Sequence, residues 1–428
     1  MFGFLILTDV FILTIQMLVC NFYDSMARTG FARPPIKEKK MIYLDHAATT
    51  SVRPPVREAL DYWYGVGKCG NPSSLHSAGR QAHQAIYQAR YDVSKLIGAD
   101  SPDEIIFTSG GSESDNLALI GMASALNATN HNVMLVSKIE HHAILNQRNL
   151  LTRLGIVVKP LSVDTYGQVD LFELEKYLKE DNVGLVSVMW VNNEIGVIQD
   201  VKSIADLCNY YGAVFHTDAV QAVGHIDVNV NSCGVDMLSI SGHKFGAPIG
   251  VGALYVRGGL KKHIEPIIYG GGQEFGVRAG TENVAGIVAL GTAAKFSTPN
   301  EFSRDALVLR EAFLKELYSV CDEGIRINEH YEKSYQLSSI LSITINDVES
   351  EAILHLMNSD GVCISAASAC SAGSLEPSHV LRAIGRNYMQ AKSTIRVSFG
   401  WNTTVEEVTR AAELLGKNII RIRKMYRS

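Results

Sequence analysis

Runs of consecutive apolar residues alternate along this chain with segments whose apolar positions recur at helical spacing. Ile-Ile-Phe (105–107), Val-Met-Leu-Val (133–136), Gly-Leu-Val-Ser-Val-Met-Trp-Val (184–191), Ala-Val-Phe (213–215) and Met-Leu-Ser-Ile (237–240) read as buried strands, with a further strand over 156–161. Helices are predicted over 56–64, 80–97 (stopped by Gly98), 113–120, 171–179, 201–211 and 283–296. Continuous apolar runs with helices between them predict an α/β fold, with a mostly parallel sheet covered by helices on both faces. After Ser297-Thr298-Pro299-Asn300 the pattern changes to helix, strand (340–345), helix (349–358), strand (362–365), a small-residue run, strand (394–399) and a final helix. The expectation is a large domain over 57–300 and a smaller α+β domain made of 41–56 with 301–428. No internal repeat is present.

In sheets of this kind ligands bind beyond the carboxyl ends of the strands. Ser112, His141, Asn193, Asp218 and Lys244 all fall at or just past predicted strand ends, so one crevice can receive them all. Asp218 and Lys244 follow successive strands. Pyridoxal phosphate requires such a pair: an amine to condense with its aldehyde, and an acid to keep its pyridine nitrogen protonated. On those two residues alone, a surface acid and amine at two loop ends is an equal reading. The Ser109-Gly110-Gly111-Ser112 turn opens a helix, and its backbone N–H groups, dipole and hydroxyl suit an anion. It is neither a Walker loop nor a dinucleotide fingerprint, and by itself such a turn is usually just a helix entry.

Composition narrows the class. With 46% hydrophobic and 19% charged residues and a net charge of −5, the chain reads as globular and offers no nucleic-acid surface. Lys417, Arg421, Arg423, Lys424 and Arg427 cluster near the end, as a solvated helix face or a docking patch. Seven cysteines at loose spacing, with no Cys-x-x-Cys pair, argue against a disulfide framework or zinc site and for a reducing, cytoplasmic compartment. Residues 1–20 are apolar but carry Asp9 and lack the leading positive charge of a signal peptide; a membrane span fits by length, at a cost of about 3 kcal/mol for the aspartate. Residues 27–40 read as a linker. Residues 1–40 are therefore expected to be an extension outside the fold, so membrane association stays open.

Cys370 sits in a nine-residue run of only Ala, Ser, Gly and Cys, which buries little surface and is expected to be mobile. A thiol on such an arm can enter a site and carry something out; a small core cysteine is the other reading, and Cys363 fits that better. Arg396 lies within a strand, where its fork suits a carboxylate substrate or a structural ion pair.

Tyr-Leu-Asp-His-Ala-Ala-Thr-Thr (43–50), Thr-Ser-Gly-Gly-Ser-Glu-Ser-Asp-Asn (108–116), Asn-Asn-Glu-Ile-Gly-Val (192–197), Ser-Gly-His-Lys (241–244), Arg-Ala-Gly-Thr-Glu-Asn (278–283) and Ser-Ala-Cys-Ser-Ala-Gly-Ser-Leu-Glu-Pro-Ser (368–378) together resemble the cysteine desulfurases of the NifS/IscS type. These are class V aminotransferase-like, fold-type I pyridoxal phosphate enzymes, and the resemblance spans residues 41 to about 415. It implies removal of sulfur from L-cysteine, giving L-alanine and a persulfide on Cys370. Lys244 would carry the cofactor and Asp218 hold its ring nitrogen. His141 would stack on the ring and move protons, and Gln221 and Asn193 would contact the ring hydroxyl. Gly111, Ser112, Ser241 and His243 would hold the phosphate, with Thr281 reaching across a homodimer interface. Arg396, with Asn193, would bind the substrate. No metal takes part in catalysis, although Cys370 could ligate an iron–sulfur cluster transiently with a partner.

The chain ends soon after Arg423, short of the tail with which IscS-type members dock a scaffold. An iron–sulfur scaffold protein and a tRNA-thiolation enzyme thus stand equally as sulfur acceptors, with no stable nucleic-acid contact of the chain's own. The competing readings are a selenocysteine lyase, another class V carbon–sulfur lyase, or a non-catalytic sulfur-relay protein. Lys244, Asp218 and Cys370 argue against the last.

Overall fold

Strands form where the apolar runs fall, and their burial on both faces explains why apolar and polar residues do not alternate. In chain order they are β1 (Ile42–Tyr43), β2 (Ile105–Thr108), β3 (Val133–Ser137), β4 (Val157–Leu161), β5 (Val183–Ser187), β6 (Val214–Asp218), β7 (Met237–Ser241), β8 (Gly252–Val256), β9 (Ile325–Ile327), β10 (Ile340–Ile345), β11 (Val362–Cys363), β12 (Ser365–Ala366) and β13 (Thr394–Ser398). This computed structural model describes residues 41–65, 69–367 and 376–427. The N-terminal extension and Cys370, both singled out above, lie outside the described residues.

Seven strands make the main sheet, in the order β2-β8-β7-β6-β5-β3-β4. Strands β4, β3, β5, β6 and β7 run parallel, and every residue of β2, β3, β5, β7 and β8 is buried. One core cluster, with Leu135, Phe215, Leu238 and Tyr255, lies on one face; another, with Ile106, Met134, Leu185 and Leu254, lies on the other. Helices Pro54–Tyr64, Ser77–Leu96 and Val284–Lys295 pack together beside the first cluster. The expected α/β architecture is thus present.

The local chemistry sets the helix ends. Asp170 caps Leu171–Glu180 by accepting from Phe172 and Glu173 N–H, and Asp200 caps Val201–Tyr211, which Gly212 ends in the left-handed conformation. The helix expected over 113–120 runs instead from Gly111 to Ala128. Gly121 reads as a stop but is there for close packing: a Cβ on it would lie 2.7 Å from Ile264 Cγ2 and 2.8 Å from the Glu265 carbonyl oxygen.

Two further expectations change. β8, absent from the predicted elements, enters the sheet antiparallel to both β7 and β2. The strand expected over 362–365 is two short ones: β11 pairs in parallel with β1, and β12 pairs with β13. The second sheet, β12-β13-β10-β9, is antiparallel. Its core joins Leu44, Leu341, Ile343, Val397 and Phe399 to Phe313 of helix Pro299–Val320 and to Leu415 and Ile419 of helix Val405–Arg427. The sequence change near residue 300 falls between Lys295, where one helix ends, and Pro299, where the next begins. Among the described residues, no helix is long and apolar enough to cross a membrane.

A buried ion pair pins the loop around residue 274 to strand β2. Arg90 donates to both Glu274 carboxylate oxygens at 2.7 Å, and the Phe107 N–H donates to Oε2 at 2.7 Å. Removing one partner strands the other without water. Glu274→Ala is expected to lower stability by about 3–5 kcal/mol, read from the urea midpoint of the apoprotein; a loss within experimental error would show the pair to be dispensable.

Candidate active site

Parallel strands deliver their carboxyl ends to one edge of the sheet. β2, reversed twice through β8, runs parallel to β7 and delivers its end there too. Beyond that edge lies a cavity of about 410 Å³. Gly111, Ser112, His141, Asn193, Asp218, Gln221, Ser241, His243, Lys244 and Arg396 all line it. Thr281, the remaining described member of the expected set, does not line the cavity and is exposed.

Lys244 lies in the short turn after β7, and its Nζ donates to the carbonyl oxygens of Ala47 at 2.7 Å and Ala48 at 2.8 Å. Gln221 Nε2 donates to the same Ala47 oxygen at 2.9 Å. Asp218 ends β6, buried, with Oδ1 accepting from the Val220 N–H at 2.9 Å. Burial raises the Asp218 pKa to about 6, against the opposing pull of that N–H and of the Lys244 charge.

The imidazoles around the amine are neutral. Burial, followed by the Lys244 charge, lowers both His141 and His243 to about 4. His141 Nδ1 accepts from the Ala143 N–H at 3.1 Å, which leaves Nε2 as its proton-carrying nitrogen. His243 Nδ1 is 3.1 Å from Thr49 Oγ1. Glu140, next to His141, is wholly buried; its Oε1 accepts from Ser137 Oγ and from the Met189 N–H, while Oε2 has no partner among the described residues. Burial pushes its pKa up to about 8.

Arg396 is both an ion-pair partner and a cavity wall. Nη2 donates to Asp45 Oδ1 at 2.9 Å and Nη1 to the Asn193 carbonyl at 2.8 Å, while buried Nε has no partner among the described residues. Glu194, beside Asn193, is buried and accepts from Ser378 Oγ. Burial raises Glu194 to about 7, opposed by that hydroxyl and by Arg396.

Sequence reasoning missed Asp45, the Ala47 and Ala48 carbonyls, Glu140 and Asp115, a cavity-lining residue only 1% exposed. For Asp115 a signal existed: it lies three residues after Ser112, one turn along the same helix face. Cys363, as expected, suits a packing role. It is half-buried in β11, and burial together with Asp45 pushes its thiol pKa up, which disfavours the thiolate.

The cavity fits pyridoxal phosphate. At one end, Gly110 holds φ 155° and ψ −175°, a backbone region essentially closed to other residues, and opens the 18-residue helix at Gly111. No side chain intrudes where its Cβ would be; the nearest atom is Ser241 Oγ at 3.8 Å. Bare backbone, a helix N-terminus and a hydroxyl make a phosphate cradle. The same cavity holds a buried acid, Asp218, and an amine, Lys244, the two groups that the pyridine nitrogen and the aldehyde require. Fold and site together define a fold-type I pyridoxal phosphate enzyme.

The class V aminotransferase model matches residues 42–411. A cysteine desulfurase IscS from Dictyoglomus turgidum is 44% identical over 391 residues, covering 90% of this chain and 96% of the relative. Among solved structures, a NifS-like protein superposes with a TM-score of 0.81 at 33% identity, covering 89% of this chain and all of its own. SspA in complex with cysteine gives 0.74 at 34%, covering 83% and 98%. The chain belongs to the class V aminotransferase family and, within it, to the cysteine desulfurases, enzymes that use pyridoxal phosphate.

Glu140 makes a testable contribution to pH dependence. Its folded pKa of about 8 stands above the unfolded value of about 4.3, so the folded state keeps a proton that the unfolded state has released. That contribution to stability is full below about pH 4 and is lost as pH rises towards 8. Glu140→Gln cannot titrate. Thermal melts of the apoproteins are expected to show the variant gaining on wild type, by on the order of a few kcal/mol, as pH rises from about 5 to 8. A difference independent of pH would mean Glu140 is ionised in the fold.

Proposed function

We propose that Cys370 is the sulfur carrier of this cysteine desulfurase, that the cavity residues bind and orient L-cysteine, and that the sulfur passes on to a protein acceptor. The observation that carries the cavity assignment is Lys244, Asp218 and the Gly110-Gly111-Ser112 helix entry converging on one space of cofactor size. When bound, pyridoxal phosphate supplies an aldehyde for the amine and a ring that withdraws electrons.

The chain's own residues do the rest. Gly111, Ser112, Ser241 and His243 would hold the phosphate, His243 as a neutral hydrogen-bond donor. Asp218 would pair its negative charge with the protonated ring nitrogen, and Gln221 and Asn193 would take the ring hydroxyl. Arg396, fixed by Asp45 and by the Asn193 carbonyl, presents its remaining N–H donors to the substrate carboxylate. His141 moves a proton at Nε2. The Cys370 thiolate attacks the sulfur of bound cysteine; the S–S bond forms, the substrate carbon–sulfur bond breaks, and the carbon takes a proton to leave as L-alanine. The products are alanine and Cys370 persulfide, so atoms and charge balance.

A homodimer accounts for Thr281. Exposed and outside its own cavity, it would serve the phosphate of a second subunit. The name IscS carried by the relatives supports an iron–sulfur scaffold as acceptor, and the loosely spaced cysteines favour a reducing, cytoplasmic compartment.

Lys244→Ala is expected to abolish the visible absorbance of the purified protein. Cys370→Ser should keep that absorbance and still bind cysteine, yet lose alanine and sulfide production by orders of magnitude. Mass spectrometry after cysteine treatment should place the added sulfur on the peptide containing residue 370. Added sulfur on Cys363 instead, or near wild-type turnover by Cys370→Ser, would overturn the carrier assignment.

A further inference from the structure

Behind the cavity floor lies a set of buried polar groups that the steps above leave unused. Ser187 on β5, His216 on β6 and Ser239 on β7 are side by side on adjacent strands, and none is exposed at all. Ser187 Oγ is 2.9 Å from His216 Nδ1, and His216 Nε2 is 3.0 Å from Ser239 Oγ. Burial lowers His216 to about 3, so this ring is neutral and joins two hydroxyls. Close to His216 sits Asp115, whose Oδ1 has no hydrogen-bond partner among the described residues.

His216 Nε2 stands 3.8 Å from that oxygen. The distance is too long for a hydrogen bond, and a neutral ring offers no ion pair. Among the described residues, no cation faces Asp115. Its acidic neighbours Asp218 and Glu140 both oppose its ionisation, while the Ser239 hydroxyl works the other way. Burial is the largest influence of all, and holds the Asp115 carboxyl well above the usual carboxylate range.

Asp218 is buried as well, and burial raises its pKa too, but it is better partnered. It has the Val220 N–H on Oδ1 and feels the Lys244 charge. Glu140 accepts two hydrogen bonds on one oxygen but faces no cation. Three buried carboxylates near one amine would, if all ionised, repel one another at a cost that protonation removes. The charge settles on the acid with the best partners.

We propose that Asp115 is a positioning residue held as a neutral carboxylic acid, so that the cavity floor carries its negative charge on Asp218 alone. The Ser187–His216–Ser239 chain fills the space beneath it with hydrogen-bonded but uncharged groups. Ionised Asp115 would place a second negative charge in the cavity beside Asp218, and would compete with it for any proton or cation bound there. This inference rests on the cofactor assignment only for its consequence; the protonation itself belongs to the apoprotein.

The test begins there. In apoprotein with carbon-13-labelled aspartate at neutral pH, infrared difference spectra are expected to contain the carbonyl stretch of a protonated aspartic acid. Asp115→Asn should remove it and Asp218→Asn should leave it. No such band in wild type, or a band that survives Asp115→Asn, overturns the proposal whatever the cofactor chemistry. Carbon-13 NMR of the labelled wild type reads the same proton without any substitution: one aspartate carboxyl stays protonated at pH 7, and finding none is equally fatal. In the holoenzyme, the neutral isostere Asp115→Asn should move the pH midpoint of the cofactor absorbance by less than about half a unit, whereas loss of a charged neighbour would move it by about one unit or more. If the apoprotein band behaves as expected but no cofactor absorbance exists, the cofactor reading fails and the protonation of Asp115 stands.

Discussion

The Lys244 amine needs acceptors, and backbone carbonyls far away in the chain provide them. Ala47 and Ala48 lie in a stretch with little regular structure, yet both sheets hold it. From the main sheet come Lys244 Nζ, Gln221 Nε2 and the His243 carbonyl, which accepts from the Thr50 N–H at 3.0 Å. From the second come Ser398 Oγ, accepting from the Ala47 N–H at 2.9 Å, and Arg396, paired with Asp45. An ammonium group half-withdrawn from water is costly without such partners. The same bonds orient the lysine, hold the substrate-facing arginine and join the second sheet to the cavity.

Strand ends were legible in the sequence because burial on both faces writes itself as unbroken apolar runs. That was enough to gather Ser112, His141, Asn193, Asp218 and Lys244 at one edge before any contact was known. What stayed hidden has physical reasons. Carbonyls such as those of Ala47 and Ala48 belong to every residue and leave no mark in side-chain type. Asp115 lies in a quoted motif, but among Ser, Glu and Asn it reads as one more polar residue near a helix start. β8 follows a stretch rich in glycine, which reads as loop, and its antiparallel entry depends on long-range pairing with β2. The division of 362–365 between two sheets turns on partners at Ile42 and Arg396, which no local pattern encodes.

Charge is distributed unevenly across the site. Acids without cations, Asp115 and Glu140, are pushed towards their neutral forms, and the imidazoles around Lys244 are pushed the same way. The charges that remain have defined partners: Lys244 with two carbonyls, Asp218 with a backbone N–H, Arg396 with Asp45. A low-dielectric cavity makes every surviving charge count for more, so neutralising its neighbours sharpens where a ligand's own charges can rest.

The clasp around residues 45–50 also has a temporal side. Ala47 and Ser398 are 351 positions apart, as are Asp45 and Arg396. At ribosomal speeds of 5–20 residues per second, a nascent chain waits roughly 20–70 s between making the first of these partners and making the second. The parallel strands and the lysine turn emerge within that interval and can begin to pair, since the contacts they need are closer in sequence. The carbonyls that receive Lys244 emerge early, but the residues that anchor them from the second sheet come almost last. A chain released short of β13 would have the cradle, the acid and the amine, and would lack both the substrate-facing arginine and the Ser398 tether that holds the lysine's acceptors in place.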